Sequence, residues 1–458
     1  MKLLFVVCCI TAFIGIALLV GCSDDSSTDA CMVCHSETTT EGKQILGAQA
    51  GYDNSGHWLG PRMLLPYNTA SGHLYVFHGS NAPYANATFH GTACHQCHTH
   101  EGYVEYVTTG ANATAVDETP APPGCFSCHA PHEDGNFGLR TTAAVALADG
   151  TTTFDKGSGN LCASCHLAGD TASDEIGSAD FTDKGVGGYN PSDMISSHFG
   201  PHHGPQADYM MGVNSAISAY GTYVGQSVHY NTSVDSCVTC HHYQPDERMA
   251  GNLEWGGHGF YLTSEVHGAP KDLIANCTSV CHDDDKFKDD STVYGTAEGF
   301  LYMNRNAASD WDGKNGTERI FEEIQGMRDT LIDYFGTSSN FLEVTYTWNA
   351  GTQTFDASYA AGGTVDDGDG PIVDAVDDTA DPDTGVNGHE WGQSWVFGGA
   401  EMSQFQSEAF WNLRYFIEDK SIGIHNPDFA AQLLWDAITH LNANESAGLT
   451  IGLTRPPN

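Results

Sequence analysis

Six short segments of the chain place two cysteines directly before a histidine. Five read Cys-x-x-Cys-His, and the sixth, CTSVCH, has one more residue between its cysteines. In chain order these attachment segments hold Cys31, Cys34 and His35; Cys94, Cys97 and His98; Cys125, Cys128 and His129; Cys162, Cys165 and His166; Cys237, Cys240 and His241; and Cys277, Cys281 and His282. Two thiols on one turn can each add to a vinyl group of one porphyrin, and the next imidazole can then ligate its iron. The segments therefore predict six covalently attached c-type haems.

The cysteine count favours haem attachment over the other uses of this spacing. Of 15 cysteines, Cys8 and Cys9 lie in an apolar leader, Cys22 follows it, and all the rest belong to the attachment segments. A zinc site would need a fourth ligand besides the three in each segment. A redox Cys-x-x-Cys pair does not require the histidine.

Residues 1–21 have the features of an export signal. Lys2 precedes an apolar run that closes with LVGC, ending at Cys22, and this order is typical of secretory signals. The ending is similar to the lipobox of bacterial lipoproteins, which implies a lipid on Cys22 as a membrane anchor. A plain signal or a retained transmembrane anchor is the alternative. We expect an exported protein that is outer-membrane-anchored, periplasmic or extracellular.

The longer loop of CTSVCH keeps both thiols and His282. Without haem, Cys277 and Cys281 would be two thiols in an oxidising compartment, where they would react or form a strained disulfide. We therefore expect this segment to hold the sixth haem with a changed turn, and its potential to differ from the others.

A low-spin haem iron needs a second axial ligand besides the histidine of its segment. The chain has 23 histidines, so many remain outside the six segments. This surplus favours ligation by two histidines over histidine and methionine. The candidates placed beside or between the segments are His57, His90, His229 and His258. Their rivals are His73, His78 and His267.

The segments resemble those of multihaem c-type cytochromes, over Cys31 to His282. CHAPHEDG is similar to a CH-x-PH signature of that family, which implies that His132 ligates a neighbouring haem. HFGPHHGPQAD is similar to a distal-ligand segment of the family, and His203 is favoured there over His198 and His202.

A second likeness to the same cytochromes lies near the end of the chain. Residues 412–427 contain a pattern that ends in His-Asn-Pro and precedes a helix in several of them. His425 is expected to stabilise a turn there, with ligation of iron as the alternative.

The resemblance implies a multihaem cytochrome c fold, mostly loops and short helices wrapped around six covalent haems. In such a fold the porphyrins, not side chains, supply the buried apolar mass. We expect a signal peptide over 1–21 with its lipobox ending at Cys22, a haem-binding region over 22–290 and a haem-free C-terminal region over 291–458.

The C-terminal region is predicted to be mainly helical. Apolar spacing over 317–335 predicts a helix opened by Thr317, and residues 409–441 predict two helices broken between Gly423 and Pro427. Alternation on both sides of residues 349–351 predicts a small β-hairpin. The acidic segment 366–383 offers carboxylates for Ca2+, but it lacks EF-hand spacing, so a solvated loop is favoured.

Charge and cofactor content limit the function classes. Asp and Glu number 58 against 17 Lys and Arg, a net charge of −41, so nucleic acid is a poor partner. Closely spaced haems form an electron conduit, and negative charge around them lowers their potentials. We expect low-potential electron transfer to other redox proteins or extracellular acceptors in anaerobic respiration, with a homopolymer as a compatible assembly. The alternative is an oxidoreductase that reduces a small nitrogen or sulfur oxyanion at one haem.

Overall fold

The computed structural model combines helices with small antiparallel sheets. It describes residues 40–53, 55–57, 67–68, 73–74, 95–111, 121, 123–130, 138–176, 200–201, 204–242, 257–260, 262–266, 269–272, 277, 282, 306–337, 341–349, 354–361, 393–397 and 403–457. The predicted leader, Cys22 and the acidic segment 366–383 lie outside these residues.

The helices are short in the first half of the chain and longer near its end. They are α1 Thr40–Asp53, α2 His95–His98, α3 His100–Thr109, α4 Cys125–Cys128, α5 Gly159–Ala163, α6 Ala172–Glu175, α7 Gln206–Met211, α8 Val228–Thr232, α9 Cys237–His241, α10 Ile320–Thr337, α11 Gln404–Glu418 and α12 Pro427–Asn444, with a 3-10 turn at Gly257–Gly259. Among the described helices, none is both long and apolar enough to cross a bilayer.

The strands form antiparallel sheets. They are β1 Tyr67–Asn68, β2 His73–Leu74, β3 Val145–Ala146, β4 Thr153–Phe154, β5 Thr263–Val266, β6 Ala269–Asp272, β7 Phe341–Asn349, β8 Thr354–Ala361 and β9 Gln393–Phe397. The predicted hairpin is β7 with β8, where Asn349 pairs with Thr354. Strand β9 pairs with the other edge of β7, giving the order β8-β7-β9. The sequence pattern did not predict β9.

Side-chain caps fix where the C-terminal helices begin. Ser403 and Gln406 form a reciprocal capping box at the start of α11, which satisfies two backbone donors that a helix start leaves open. The Asn426 side chain accepts from the N–H of Phe429 ahead of α12. Helix α10 begins at Ile320, so the predicted cap at Thr317 is wrong. Instead, a Glu322 oxygen accepts the N–H of Arg319 at 3.0 Å.

The C-terminal helices build a conventional apolar core. Phe429 is fully buried, and its ring centroid lies 5.1 Å from that of Tyr209, 5.4 Å from Tyr223 and 5.9 Å from Tyr415. Ring edges that meet ring faces at such distances stabilise a core beyond the area they bury. The expectation that this chain lacks an ordinary side-chain core is therefore wrong for its C-terminal part. Because Tyr209 belongs to the region over 22–290, the two predicted regions share this core.

The turn between α11 and α12 is tightly wound. Lys420 and Ile422 have positive φ angles of 58° and 57°, and Gly423 has a φ of 93°. A Cβ added at Gly423 would lie 3.1 Å from the Cβ of Ala430, so this position favours glycine both in conformation and in space. The Asn426 Nδ2 atom donates to the Gly225 carbonyl at 3.0 Å. These contacts fix the turn on which His425 stands.

We predict that Phe429→Ala lowers the free energy of unfolding by about 3–5 kcal/mol, because it leaves a cavity among three aromatic rings. Guanidinium unfolding followed by circular dichroism measures the change. Phe405→Ala is the control, since Phe405 is 37% exposed, and it should cost well under half as much. Equal losses in both variants would contradict a core centred on Phe429.

Candidate functional site

The third and fourth attachment segments each close on the same kind of backbone hydrogen bond. The His129 N–H donates to the Cys125 carbonyl at 2.9 Å, and the His166 N–H donates to the Cys162 carbonyl at 2.9 Å. A bond across four residues is one helical turn. It places both thiols and the imidazole of a segment on one turn, as attachment of a single porphyrin requires.

The CTSVCH segment makes the corresponding bond despite its extra residue. The His282 N–H donates to the Cys277 carbonyl at 3.0 Å, across five residues instead of four. A bond of this span is the kind that a π-helix makes. His282 thus keeps a backbone link to the first cysteine. Cys281 lies outside the described residues.

Four attachment-segment histidines each face a histidine from outside their own segment. The ring centroids are 6.2 Å apart in His129–His258, 6.3 Å in His282–His229, 6.1 Å in His241–His425 and 5.8 Å in His166–His57.

These separations are those of two imidazoles on opposite sides of one metal ion. With metal–nitrogen bonds of about 2.0–2.1 Å, as for zinc, the two centroids lie roughly 6.4 Å apart. Ordinary aromatic pairs span a range that includes this value, so distance alone does not identify a ligand pair. The informative point is that each of the four pairs joins one segment histidine to one histidine from elsewhere.

Hydrogen bonds fix the tautomer of these rings. Oxygen acceptors meet Nδ1 of His166 (Gln206 Oε1, 3.0 Å), His229 (Ile424 carbonyl, 2.7 Å), His241 (Phe260 carbonyl, 2.9 Å) and His425 (Asp419 Oδ1, 2.8 Å). The acceptors carry no hydrogen, so Nδ1 must donate. Nε2 is then the unprotonated nitrogen, which is the arrangement of histidine ligands whose second nitrogen is hydrogen-bonded.

The turn at residues 257–260 gathers several of these rings. The centroids of His57 and Phe260 are 4.8 Å apart, and those of His242 and His258 are 4.4 Å apart. Phe260 has a φ of 62°, a rare conformation for a bulky residue and one that is often found at functional sites. The buried Nδ1 atom of His258 has no hydrogen-bond partner. A buried nitrogen that lacks a hydrogen-bond partner costs free energy when only protein surrounds it. The unpartnered Nδ1 atom of His258 is therefore consistent with a further group bound beside this turn.

Loss of hydration favours the neutral form of these imidazoles. Burial lowers the pKa of His241 to about 4, with repulsion from His425 adding to it. Burial likewise lowers the pKa of His258 to about 4, together with two neighbouring histidines. The pKa values of His166 and His229 are lowered for the same first reason. Loss of hydration also lowers the pKa of His57, and repulsion from His166 and His241 adds to this shift. Neutral imidazole is the form that binds metal.

His425 is the exception among the buried rings. Burial acts to lower its pKa, but the Asp419 carboxylate outweighs burial and the pKa of His425 is raised. The two side chains are 19% and 0% exposed. The electrostatic attraction between His425 and Asp419 therefore acts over a short distance and with little screening by water.

Thiols of different attachment segments lie close together. Contact with the Cys97 thiol raises the pKa of Cys165, and contact with the Cys237 thiol raises that of Cys162, with burial adding to both shifts. The fourth segment thus lies between the second and the fifth, an order that differs from the order along the chain. No disulfide joins the cysteines within the described part of the chain.

Half of the predicted second ligands lie among the described residues. His57, His229 and His258 each stand opposite a segment histidine. The other three predicted ligands and part of the attachment set lie outside the described residues, so their predictions stay predictions: His90, His132, His203, Cys31, Cys34, His35 and Cys94.

The sequence analysis favours a structural role for His425, with ligation of iron as the alternative. The ring centroid of His425 lies 6.1 Å from that of His241, and Asn426, which caps α12, fixes the backbone directly after His425. Both roles of His425 stay predictions.

An acidic cluster outside the segment 366–383 brings potential metal-ligand atoms close together. Asp310, Asp312 and Glu323 lie within 4.8 Å of one another. Both oxygens of Glu323 already accept backbone N–H groups, from Trp311 at 2.6 Å and Glu318 at 2.8 Å. These bonds give Glu323 a structural role ahead of α10.

Comparison of the chain with family models, curated proteins and solved structures found no match. Its function has to be inferred from its own residues.

Asp208 is a buried carboxyl group close to the fourth attachment segment. Its Oδ2 atom accepts the Ala168 N–H at 2.8 Å, while its Oδ1 atom is buried without a partner. Burial raises the pKa of Asp208 to about 6. The folded protein therefore binds a proton more readily here than the unfolded chain does, and stability must fall as the pH rises to 6.

We predict that Asp208→Asn removes this loss of stability. Relative to the wild type, the variant should gain up to roughly 3 kcal/mol of unfolding free energy between pH 4 and 7, measured by denaturant unfolding across that range. Asp149→Asn is the control, and its effect on the unfolding free energy should have the opposite sign. Burial acts to raise the pKa of Asp149, but hydrogen bonds from Thr151 and Thr152 leave that pKa lowered. Parallel pH profiles for Asp208→Asn and the wild type would refute the assignment.

Proposed function

We propose that this chain is a multihaem c-type cytochrome that carries electrons between redox partners outside the cytoplasm. The observation that carries the proposal is the set of four facing histidine pairs, each with one member in a Cys-x-x-Cys-His or CTSVCH segment. Haem, when bound, supplies reversible one-electron chemistry at its iron. The rest of the proposal concerns what the chain's own residues do.

The cysteines of each segment would anchor the cofactor, and the segment histidine would be one ligand of its iron. The second ligand would be His57 for the fourth segment, His258 for the third, His425 for the fifth and His229 for the sixth. The Nδ1 hydrogen bonds of the ligands hold each ring at one tautomer and one orientation. Two histidines per iron leave no coordination position for a substrate, which favours electron transfer over oxyanion reduction.

Contacts between segments support short distances for electron transfer. Cys162 and Cys165 of the fourth segment meet Cys237 and Cys97, so cofactors anchored there would be neighbours. The turn at residues 257–260 touches ring groups of the third, fourth and fifth sites. A chain of close cofactors is what a conduit needs.

The surface and the leader suggest where this conduit works. The net charge of −41 favours the ferric state and low potentials, and it attracts basic partners or metal species. We propose export, with a lipid anchor at Cys22 and other redox proteins or extracellular acceptors as partners. A homopolymer is compatible with this proposal.

The first test is the number of covalent haems. Mass spectrometry of the exported protein should give six haems per chain, and Cys281→Ala should lose the absorbance of one haem, because its CTSVCH segment keeps only one thiol for attachment. Ser279→Ala, in the same loop, should keep all six. Fewer than six haems in the wild type, or no loss of haem absorbance in Cys281→Ala, would overturn the six-site proposal.

The second test probes the ligand pairs with carbon monoxide. Reduced wild type should not bind it, because both axial positions of each iron are taken, whereas His229→Gly and His258→Gly should each open one site and bind one equivalent. His440→Gln is the matched control, since His440 is a buried histidine bonded to Glu408 at 2.7 Å. Rapid carbon monoxide binding by the wild type would favour the enzymatic alternative.

A further inference from the structure

The Nδ1 acceptors of the four described ligand contacts differ in charge. Gln206, Ile424 and Phe260 offer neutral amide oxygens, while Asp419 offers a carboxylate oxygen to His425. A charged acceptor makes a shorter and stronger hydrogen bond than a neutral one. Of the four histidines whose Nδ1 acceptor is described, only His425 has a charged one, so the site formed by His241 and His425 differs electronically from the sites of His166 and His229.

The surroundings of Asp419 hold its carboxylate in one place. It is fully buried at the C-terminal end of α11, and its Oδ2 atom accepts a hydrogen bond from the Ser421 hydroxyl. The Gln206 Nε2 atom donates to the Asp419 carbonyl at 3.0 Å, so the same glutamine that orients His166 also holds the backbone of Asp419. Ser421 in turn accepts the N–H of His425 at 3.1 Å.

We infer that Asp419 is a positioning residue that gives the iron ligated by His241 and His425 the lowest reduction potential of the three sites with a described Nδ1 acceptor. The inference rests on the proposed function, because it assigns a property to one of its ligand pairs. A carboxylate that accepts the Nδ1 proton pushes negative charge onto the ring and raises ligand basicity. A more basic ligand stabilises ferric over ferrous iron, and axial ligation, hydrogen bonding and burial are the means by which a protein sets haem potential.

The site formed by His241 and His425 lies next to the fourth site. The fifth attachment segment touches the fourth through Cys237 and Cys162. A low-potential site at that position is the last to accept an electron at equilibrium. Electrons that pass between the fourth and fifth sites would then cross a step in potential.

The test is Asp419→Asn, which keeps the size of the side chain and an oxygen acceptor but removes the charge. In a spectroelectrochemical titration, the lowest-potential component should move upward by an amount equal to at least a tenfold change in the ferric-to-ferrous equilibrium, about 59 mV for one electron. The electron paramagnetic resonance signal of one low-spin haem should shift with it. Asp419→Glu, which retains the carboxylate, should restore part of both changes.

The matched control is Asp436→Asn. Asp436 is also a fully buried carboxylate, but it pairs with Arg455 at 2.8 Å and contacts none of the ligand histidines. It measures the general effect of removing one negative charge. Unchanged potentials in Asp419→Asn, or a uniform shift of every component as in the control, would overturn the inference.

Ser421→Ala covers the case in which Asp419→Asn does not fold. Without the serine donor the carboxylate accepts more strongly from His425, so the same component should move downward, and an upward or absent shift would overturn the inference. Haem content is measured on every variant. A wild type without six haems refutes the proposed function itself, whereas six haems with unaltered potentials in the variants refute only the role of Asp419.

Discussion

In the proposed cytochrome, two imidazoles that ligate one iron would be held about 6 Å apart, with their unprotonated nitrogens toward each other. The four described histidine pairs are consistent with that constraint. Each pair joins two segments that are distant along the chain. Residues of another segment accept the Nδ1 protons of His166, His229 and His241, and Asp419 accepts that of His425 within the turn that carries both. The rings are in this way oriented by the elements that surround them.

The C-terminal helices contain no cysteines, yet they help to position the histidine rings. Helices α11 and α12 pack around Phe429 and hold a turn whose backbone has three positive φ angles. That turn carries Asp419, Ile424 and His425, which are an acceptor for one ring, an acceptor for a second ring and a ligand candidate in its own right. A conventional apolar core thus serves as the rigid base for groups that must be placed to within a few tenths of an ångström.

Sequence reasoning found the parts of the molecule whose chemistry is local. The attachment segments could be read from spacing because thiols and imidazole act within one turn. The helices α10, α11 and α12 and the β7–β8 hairpin could be read from apolar periodicity. What could not be read was pairing across the chain: the roles of Asp419 and Ile424, the contact of Cys162 with Cys237, and the importance of His425. These depend on how segments far apart in the sequence come together, and periodicity carries no information about that. Strand β9 was missed for a similar reason, because its partner β7 is remote along the chain.

The position of His425 near the end of the chain also bears on how the protein is made. During synthesis and export His241 emerges well before the segment that carries His425, and His425 cannot reach it until α11 and α12 have packed. In the proposed cytochrome, the fifth haem would pass through a stage in which one face of its iron is exposed to solvent. Maturation of this site is therefore tied to completion of the C-terminal core, and a chain truncated after residue 418 would carry the cofactor with an open, reactive iron.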